Sequence, residues 1–321
     1  MNKFASLVNN ALDNQVYPKH PRGLYEPIAY TLAGGGKRLR PSLMLLCYSL
    51  YKTDFETVLP AAIGLETYHN HTLLHDDLMD AADVRRGMPT VHRKWDANTA
   101  ILSGDTMLIQ AVTKVNECRC KRKEDVMQLF LQTCREVCEG QQYDMNFESR
   151  TDVCIDEYIE MIRLKTAVLV ACAAKMGGLI ADAPEVECEM LYSFAEKVGL
   201  AFQLQDDYLD VYGDPLVFGK KIGGDILCGK KTLLLISAFN RANEKQRNEL
   251  HRLLESKDLS DAEKIEGVTK IYNDLHIPEI SNEMISAYYD DARNIYETLP
   301  LPEEVKEPLW QWAIDLLGRN Y

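Results

Sequence analysis

The sequence predicts an all-α fold: one single-domain helical bundle over residues 1–321. Residues 90–183 contain no proline and are rich in Leu, Ala, Met, Glu, Lys and Gln, the strong helix formers. The hairpin dipeptides Asn-Gly and Asp-Gly are absent, and no stretch sustains an apolar/polar alternation. No linker-like, repetitive or low-complexity segment divides the chain, and 46% hydrophobic residues supply ample core. The pattern predicts roughly ten to thirteen helices of ordinary length.

Charge narrows the function classes. With 36 Lys plus Arg against 49 Asp plus Glu, the net charge is 36 − 49 = −13, and the pI is near 5.1. That balance argues against a nucleic-acid partner, which calls for a basic face. It leaves room for an anionic substrate held by local cations or a metal. The first residues, MNKFASLVNNALDNQ, lack the apolar stretch of a signal peptide. The apolar run Ala167–Ala174 stops at Lys175, far short of the roughly 20 residues of a membrane span, so no stable membrane insertion is expected. Nine cysteines, an odd count in a long chain, fit reduced thiols in the cytoplasm better than a disulfide framework. Cys118-x-Cys120 and Cys134-x₃-Cys138 lack the paired CxxC of a thiolate metal site and read as buried or surface thiols.

Along the chain, the first chemical feature is Gly34-Gly35-Gly36-Lys37-Arg38-Leu39-Arg40-Pro41, a glycine-rich turn followed by three cations. Backbone N–H groups with Lys or Arg suit a phosphate, although the Walker spacing is missing. Next comes His75-Asp76-Asp77-Leu78-Met79-Asp80, a D-D-x-x-D pattern that recurs as Asp206-Asp207-Tyr208-Leu209-Asp210. One such pattern is expected about 0.07 times by chance in a chain of this length and composition. Tyr68, Thr72, Asp76 and Asp80 are four apart, as are Val198, Phe202, Asp206 and Asp210, which places the outer acids on one helical stripe each. The segments Arg86-Gly87-Met88-Pro89 and Gly213-Asp214-Pro215 read as the ends of those helices.

Carboxylates at a helix C-terminus face an unfavourable dipole, and like charges at i,i+4 repel by a few tenths of a kcal/mol. A divalent cation relieves both penalties. With only carboxylate ligands nearby, the expected ion is Mg²⁺, with Mn²⁺ second. A solvated acidic face is the plain alternative for one copy and a poor account of two. Positive groups to complement a metal-bound phosphate follow at Arg85 and Arg86, and at Gly219-Lys220-Lys221-Ile222-Gly223-Gly224-Asp225 and Gly229-Lys230-Lys231-Thr232.

Together, GGGKRLRP (34–41), LLHDDLMDAADVRRG (73–87), GQQYD (140–144), Lys165-Thr166, FQLQDDYLD (202–210) and GKKIGGDILCGKKT (219–232) resemble the trans-isoprenyl diphosphate synthases, or polyprenyl synthetases. The resemblance implies an all-α homodimer with the two acidic motifs facing each other across a deep central cavity. It implies condensation of isopentenyl diphosphate with an allylic diphosphate, assisted by three Mg²⁺ ions. Carried over by residue, Asp76, Asp80 and Asp206 resemble direct Mg²⁺ ligands, with Asp77, Asp207 and Asp210 as weaker participants. Lys37, Arg40, His69 and Arg86 resemble the isopentenyl diphosphate binders. Arg85, Lys165, Lys220 and Lys230 resemble the groups on the allylic diphosphate, with Lys221 an alternative to Lys220. Thr166 and Gln203 resemble the polar lining that steadies the cation, and Gln141 and Asp144 its supports. The C-terminal LLGRNY departs from relatives that end in a basic tail.

Product length follows from the floor of such a cavity. Thr72 and Tyr68 lie about 6 Å and 12 Å below Asp76 along one helix face, and an isoprene unit spans roughly one 5.4 Å turn. Thr72 is small, the flanking His71 is medium-sized, and Tyr68 is bulky and a turn deeper. That order points to a twenty-carbon product, geranylgeranyl diphosphate, with farnesyl or a longer polyprenyl diphosphate as the alternative and plain core packing as the competing role for Tyr68. A class I terpene cyclase shares D-D-x-x-D but needs no second diphosphate site, against the cations at Lys37, Arg40, Arg85 and Arg86. A non-catalytic regulatory subunit need not keep both motifs.

Overall fold

The computed structural model describes residues 2–214 and 222–318. Among them the chain order is α1 (Asn2–Asp13), α2 (Arg22–Ala33), α3 (Leu39–Ser49), α4 (Leu59–Met79), β1 (Val84–Arg85), β2 (Met88–Pro89), α5 (Val91–Lys94), α6 (Ala97–Asn116), α7 (Lys123–Glu148) and α8 (Ile155–Ile162). A π-helical turn (Arg163–Ala167) follows, then α9 (Val168–Ile180), α10 (Glu185–Tyr212), α11 (Gly224–Cys228), α12 (Leu233–Arg241), α13 (Glu244–Glu255), α14 (Asp261–Asp274), α15 (Ile277–Thr298) and α16 (Glu303–Leu317). The all-α expectation holds. The sixteen helices exceed the expected ten to thirteen because two are only four and five residues long and a π-turn separates α8 from α9.

The chain gathers into two compact units. One comprises Met1–Gln132, Cys172–Leu191 and Leu301–Leu309; the other comprises Thr133–Ala171, Tyr192–Pro300 and Trp310–Tyr321.

In the first unit α4 packs along α6, with α3 also laid against α4 and α2 against α6. Every residue from Ala61 to Tyr68 is buried, as expected of a helix that is apolar around most of its circumference. The polar members of that run are satisfied locally: Thr67 Oγ1 donates to the Ile63 carbonyl at 2.8 Å, and Glu66 pairs with Arg38. In the second unit Leu234, Leu235, Leu250, Leu253, Val268 and Tyr272 close one core among α12, α13 and α14. Tyr158, Met161, Ala167, Leu200 and Leu204 close another among α8, the π-turn and α10. The starts of α13 and α14 carry reciprocal caps, Asn243 with Gln246 and Ser260 with Glu263, the S/T-x-x-E logic that satisfies two orphan N–H groups.

The first acidic helix ends at Met79, with Asp80 as its C-cap, seven residues before Arg86-Gly87. The intervening chain forms the antiparallel β1–β2 pair, Val84 opposite Pro89 and Arg85 opposite Met88. Its turn residues, Arg86 and Gly87, have φ of 52° and 75°. Two successive positive φ values define the turn that matches strand twist, usually supplied by Asn-Gly. An Arg-Gly pair does the same here, which is why a search for Asn-Gly and Asp-Gly passes over it. The second acidic helix ends at Tyr212, next to Gly213 as expected.

Candidate active site

In the first unit the hairpin turns Arg85 back onto the acids of α4. Arg85 Nε donates to Asp77 Oδ1 at 2.7 Å, and its Nη2 lies 3.7 Å from Asp76 Oδ2. Asp77 is only 5% exposed, and burial pushes its carboxyl up against the opposing pull of Arg85. Backbone and side-chain bonds fix the hairpin: the Ala82 N–H donates to the Asp77 carbonyl at 2.9 Å, and Thr90 Oγ1 donates to the Ala82 carbonyl at 2.7 Å. Asp76 is partly exposed and Asp80 is exposed.

Beside these acids lies a cluster of cations. Arg40 Nη1 stands 3.1 Å from His69 Nε2. Burial lowers His69 well below the ordinary imidazole range, and Arg40, Arg86, Arg85 and Arg38 hold it there by repulsion. His69 is therefore neutral, and its Nε2 accepts from Arg40, which burial itself pushes down to about 10 and which stays charged at neutral pH. Arg86 Nη1 donates to the Gly35 carbonyl and reaches Asn70 Oδ1 at 3.5 Å, which brings the glycine-rich turn and the hairpin together. Lys37 is exposed on that turn. The structure thus brings Lys37, Arg40, His69, Arg85 and Arg86 into the neighbourhood of the first motif.

Arg38, the middle cation of the turn, serves differently. Its side chain is buried, with Nη1 on Glu66 at 2.7 Å, Nε on Asn9 Oδ1 at 2.9 Å and Nη2 on the Leu32 carbonyl at 2.8 Å. Asn70 Nδ2 also donates to Glu66, at 3.0 Å. Sequence reasoning passed over Glu66 and Asn70. The available signal was a carboxylate and an amide four apart inside the apolar run AAIGLETYHN.

In the second unit the motif sits on α10 beside the π-turn that carries Lys165 and Thr166. Such turns bulge one residue out of the ladder and recur at functional positions. Gly140 of α7 makes the bulge possible: a Cβ there would stand 2.3 Å from the Lys165 backbone nitrogen. Lys165 Nζ bonds Asp144 Oδ2 at 2.6 Å. Thr166 Oγ1 donates to Gln203 Oε1 at 3.0 Å, Gln203 Nε2 donates to Asp207 Oδ1 at 2.8 Å, and the Tyr158 hydroxyl donates to Asp207 Oδ2 at 2.6 Å. Asp207 is 4% exposed, and burial raises its carboxyl to about 6. Tyr158, absent from the sequence reading, is the partner of that buried carboxyl.

Asp210 is drawn to α11: its Oδ2 accepts from the Asp225 N–H at 2.9 Å and its carbonyl from the Gly223 N–H at 2.6 Å. Lys230 Nζ lies 3.8 Å from Asp225 Oδ1. Burial opposes its charge, but Asp207, Asp225, Asp144 and Asp206 outweigh that and raise it, so it is a firm cation. Asp206 is partly exposed on the face of α10. Lys220 and its alternative Lys221 lie outside the described residues.

The chain-length candidates all lie in the first unit. Tyr68 is 1% exposed and packs edge-on to Phe130 with centroids 5.6 Å apart. His71 is buried, with Nδ1 2.9 Å from the Gly104 carbonyl. Thr72 Oγ1 donates to the His69 carbonyl at 2.8 Å.

The donor set suits a hard cation. Among the described residues no three His, Cys, Asp or Glu side chains converge closely enough to hold an ion by themselves. Mg²⁺ takes one or two carboxylates and fills its octahedron with phosphate oxygens and water, so an all-oxygen set that does not converge without a diphosphate fits it.

Residues 21–274 match the family model described as polyprenyl synthetase. A short chain isoprenyl diphosphate synthase from Methanocaldococcus jannaschii is 42% identical over 246 residues, 76% of this chain and 75% of that one. A geranylgeranyl diphosphate synthase from Methanosarcina mazei is 41% identical over 239 residues, 74% of each. A crystal structure of a geranylgeranyl pyrophosphate synthase, 41% identical, superposes with a TM-score of 0.94 over 100% of this chain and 99% of its own.

Proposed function

The chain belongs to the polyprenyl synthetase family and is a trans-prenyltransferase, and from that premise we propose that it condenses isopentenyl diphosphate with an allylic diphosphate (dimethylallyl, geranyl or farnesyl) to give geranylgeranyl diphosphate. The carrying observation is a division of labour repeated in both motifs. The middle acid of each is locked into the protein, Asp77 by Arg85 and Asp207 by Tyr158 and Gln203, while the outer acids Asp76, Asp80 and Asp206 stay at the surface of their helices.

In this reading Asp76, Asp80 and Asp206 hold Mg²⁺, three ions in all, with Mn²⁺ able to substitute. When bound, Mg²⁺ neutralises the diphosphate and turns a poor leaving group into a competent one. Asp77 and Asp207 keep the motifs in register, and Asp210 anchors α11. Arg85, Lys165 and Lys230 face the allylic diphosphate. Lys37, Arg40, His69 and Arg86 hold isopentenyl diphosphate; a neutral His69 lets Arg40 and Arg86 sit close together without a further positive charge. Thr166 and Gln203 present oxygens to the allylic cation, and a pocket that excludes water keeps that cation from being quenched. Gln141 and Asp144 support the site, Asp144 by gripping Lys165. Tyr68, His71 and Thr72 set the product length.

The same proposal treats residues 1–321 as a single functional domain, supported by the family match running through segments of both units. It takes the enzyme to be a cytoplasmic homodimer; Leu102 and Ile109, two turns apart on α6 and 59% and 67% exposed, support self-association. No described helix is long and apolar enough to cross a membrane.

One assay tests the reading. Purified protein receives isopentenyl diphosphate, an allylic diphosphate and Mg²⁺, and the products are chromatographed. A twenty-carbon diphosphate supports the proposal in full, and a fifteen-carbon or longer one corrects the length alone. A hydrocarbon would make it a terpene cyclase, and no turnover a regulatory subunit. Asp206→Asn should cost on the order of 100-fold in kcat, as the loss of one preorganised electrostatic group does.

A further inference from the structure

The arginines around the first motif divide by partner. Arg38 pairs with Glu66 and Arg85 with Asp77, each at 2.7 Å. Arg86 is exposed, and among the described residues its hydrogen-bond partners are neutral oxygens that both meet Nη1: the Gly35 carbonyl and, at 3.5 Å, Asn70 Oδ1. Its Nε and Nη2 groups are left over. They form the edge of a guanidinium that meets two oxygens of one phosphate at once. Arg40 Nε, in the same cluster, is buried and also has no hydrogen-bond partner among the described residues. Cations in that state are set up for an anion that the chain itself does not supply.

Gly36 decides how Arg86 is held. A Cβ on Gly36 would stand 3.0 Å from Arg86 Cζ, 3.0 Å from Nη1 and 3.1 Å from Nη2. A point that far from all three atoms lies above the face of the guanidinium, so the group lies flat on this glycine. Carbon contacts are comfortable at about 3.5–4.0 Å, so a methyl group there would lift the guanidinium off the turn. Gly36 also has φ 133°, a backbone region open to glycine because it has no Cβ. The hairpin itself is fixed on either side of Arg86. The Tyr30 hydroxyl donates to the Pro89 carbonyl at 2.8 Å, and Met88 Cε lies 2.8 Å from where a Cβ on Gly34 would stand. Displacement therefore falls on the Arg86 side chain rather than on the hairpin.

We propose that Gly36 is a positioning residue for Arg86: its missing side chain is the seat of the guanidinium, and the seat leaves the Nε/Nη2 edge to one phosphate of isopentenyl diphosphate. The inference rests on the proposed function, which puts that diphosphate beside Lys37, Arg40 and Arg86. Gly35 and Asn70 hold one nitrogen of the group, and Gly36 sets the plane in which the other two point. A lysine at position 86 would keep the charge but has neither a face to lay on Gly36 nor a two-pronged edge.

The test is a double-mutant cycle of Gly36→Ala and Arg86→Ala in the full-length protein, read by steady-state kinetics and by thermal melts without substrate. Gly36→Ala should raise KM for isopentenyl diphosphate about tenfold, the worth of one charge-assisted hydrogen bond, and leave KM for the allylic substrate little changed. In the Arg86→Ala protein the same change should raise it no further, because no guanidinium is left to lift. Strain at φ 133° acts equally in both backgrounds, so additive effects on KM, or equal rises for the two substrates, would overturn the proposal. So would unfolding of Gly36→Ala that Arg86→Ala does not relieve. Arg86→Lys should lose most of the affinity that Arg86→Ala loses; full retention would refute the two-pronged contact. The melts follow the seat alone: Gly36→Ala should lower Tm more in the parent than in the Arg86→Ala protein, and equal drops would count against it. Coupled melts in a protein that does not turn over isopentenyl diphosphate would overturn the proposed function and leave the seat standing.

Discussion

Arg38 and Glu66 form an ion pair 2.7 Å long with both side chains 3% exposed, and it joins the glycine-rich turn to α4. Arg38 holds the left-handed backbone (φ 48°, ψ 39°) immediately before α3, a conformation costly for a non-glycine residue and sustained only by firm surroundings. The same guanidinium ties down Asn9 and the Leu32 carbonyl, and through Glu66 and Asn70 the network reaches Arg86. Removing one member of a buried pair costs about 3–5 kcal/mol because it strands the other charge. Glu66→Gln is therefore expected to lower stability and, with the turn loosened, to raise KM for isopentenyl diphosphate more than KM for the allylic substrate. Denaturant titration and steady-state kinetics with each substrate varied in turn check this. The double change Arg38→Met, Glu66→Met should recover stability without recovering KM.

The all-α class was legible because its signals are local: helix-forming composition over 90–183 and the absence of strand alternation. The acidic motifs were legible because four-residue spacing reports a helix face directly. What the sequence hid is tertiary. Nothing local marks Tyr158 as the partner of Asp207, since the two are 49 residues apart, and nothing local says that Arg38 turns inward while Lys37 stays exposed. The β1–β2 hairpin was hidden for a different reason: Arg86 adopts a positive φ that its side chain does not favour, and the payoff, Arg85 laid across Asp76 and Asp77, appears only in three dimensions.

Tyr68 has two roles to separate. Its ring fills core against Phe130 and His71, with centroids 5.6 Å from each. As a floor to the product channel, Tyr68→Ala should shift the product to a longer prenyl diphosphate. As core alone, it should cost about 3–5 kcal/mol of stability with unchanged length. Chromatography of the product beside a thermal melt distinguishes them, and the expected result is both a longer product and a lower Tm.

Among the described residues the carboxylates do not converge on a preformed cage, so metal and diphosphate are expected to bind together. Calorimetric titration of Mg²⁺ alone should give weak binding, and the same titration with inorganic pyrophosphate present should give a much tighter, stoichiometric uptake. Asp76→Asn or Asp206→Asn should weaken the second titration far more than the first. Tight binding of Mg²⁺ without pyrophosphate would contradict the geometry.

His71 gives the fold a one-sided sensitivity to acid. It is 8% exposed, its Nδ1–H donates to the Gly104 carbonyl, and its ring lies edge-on to His75 at 4.6 Å. Burial, reinforced by His75, lowers it from 6.5 to about 4. The folded protein therefore holds this imidazole neutral in a range where the unfolded chain would protonate it. The stabilisation is complete above pH 6.5 and is lost as pH falls from there towards 4, to a ceiling of about 3 kcal/mol. Burial lowers His69 in the same direction and adds to the slope. His71→Gln removes ring packing and should lower stability at neutral pH, yet it should flatten the decline between pH 6.5 and 4. Unfolding free energies measured across that interval decide the matter, because a residue that only packed would shift the curve downward without changing its slope.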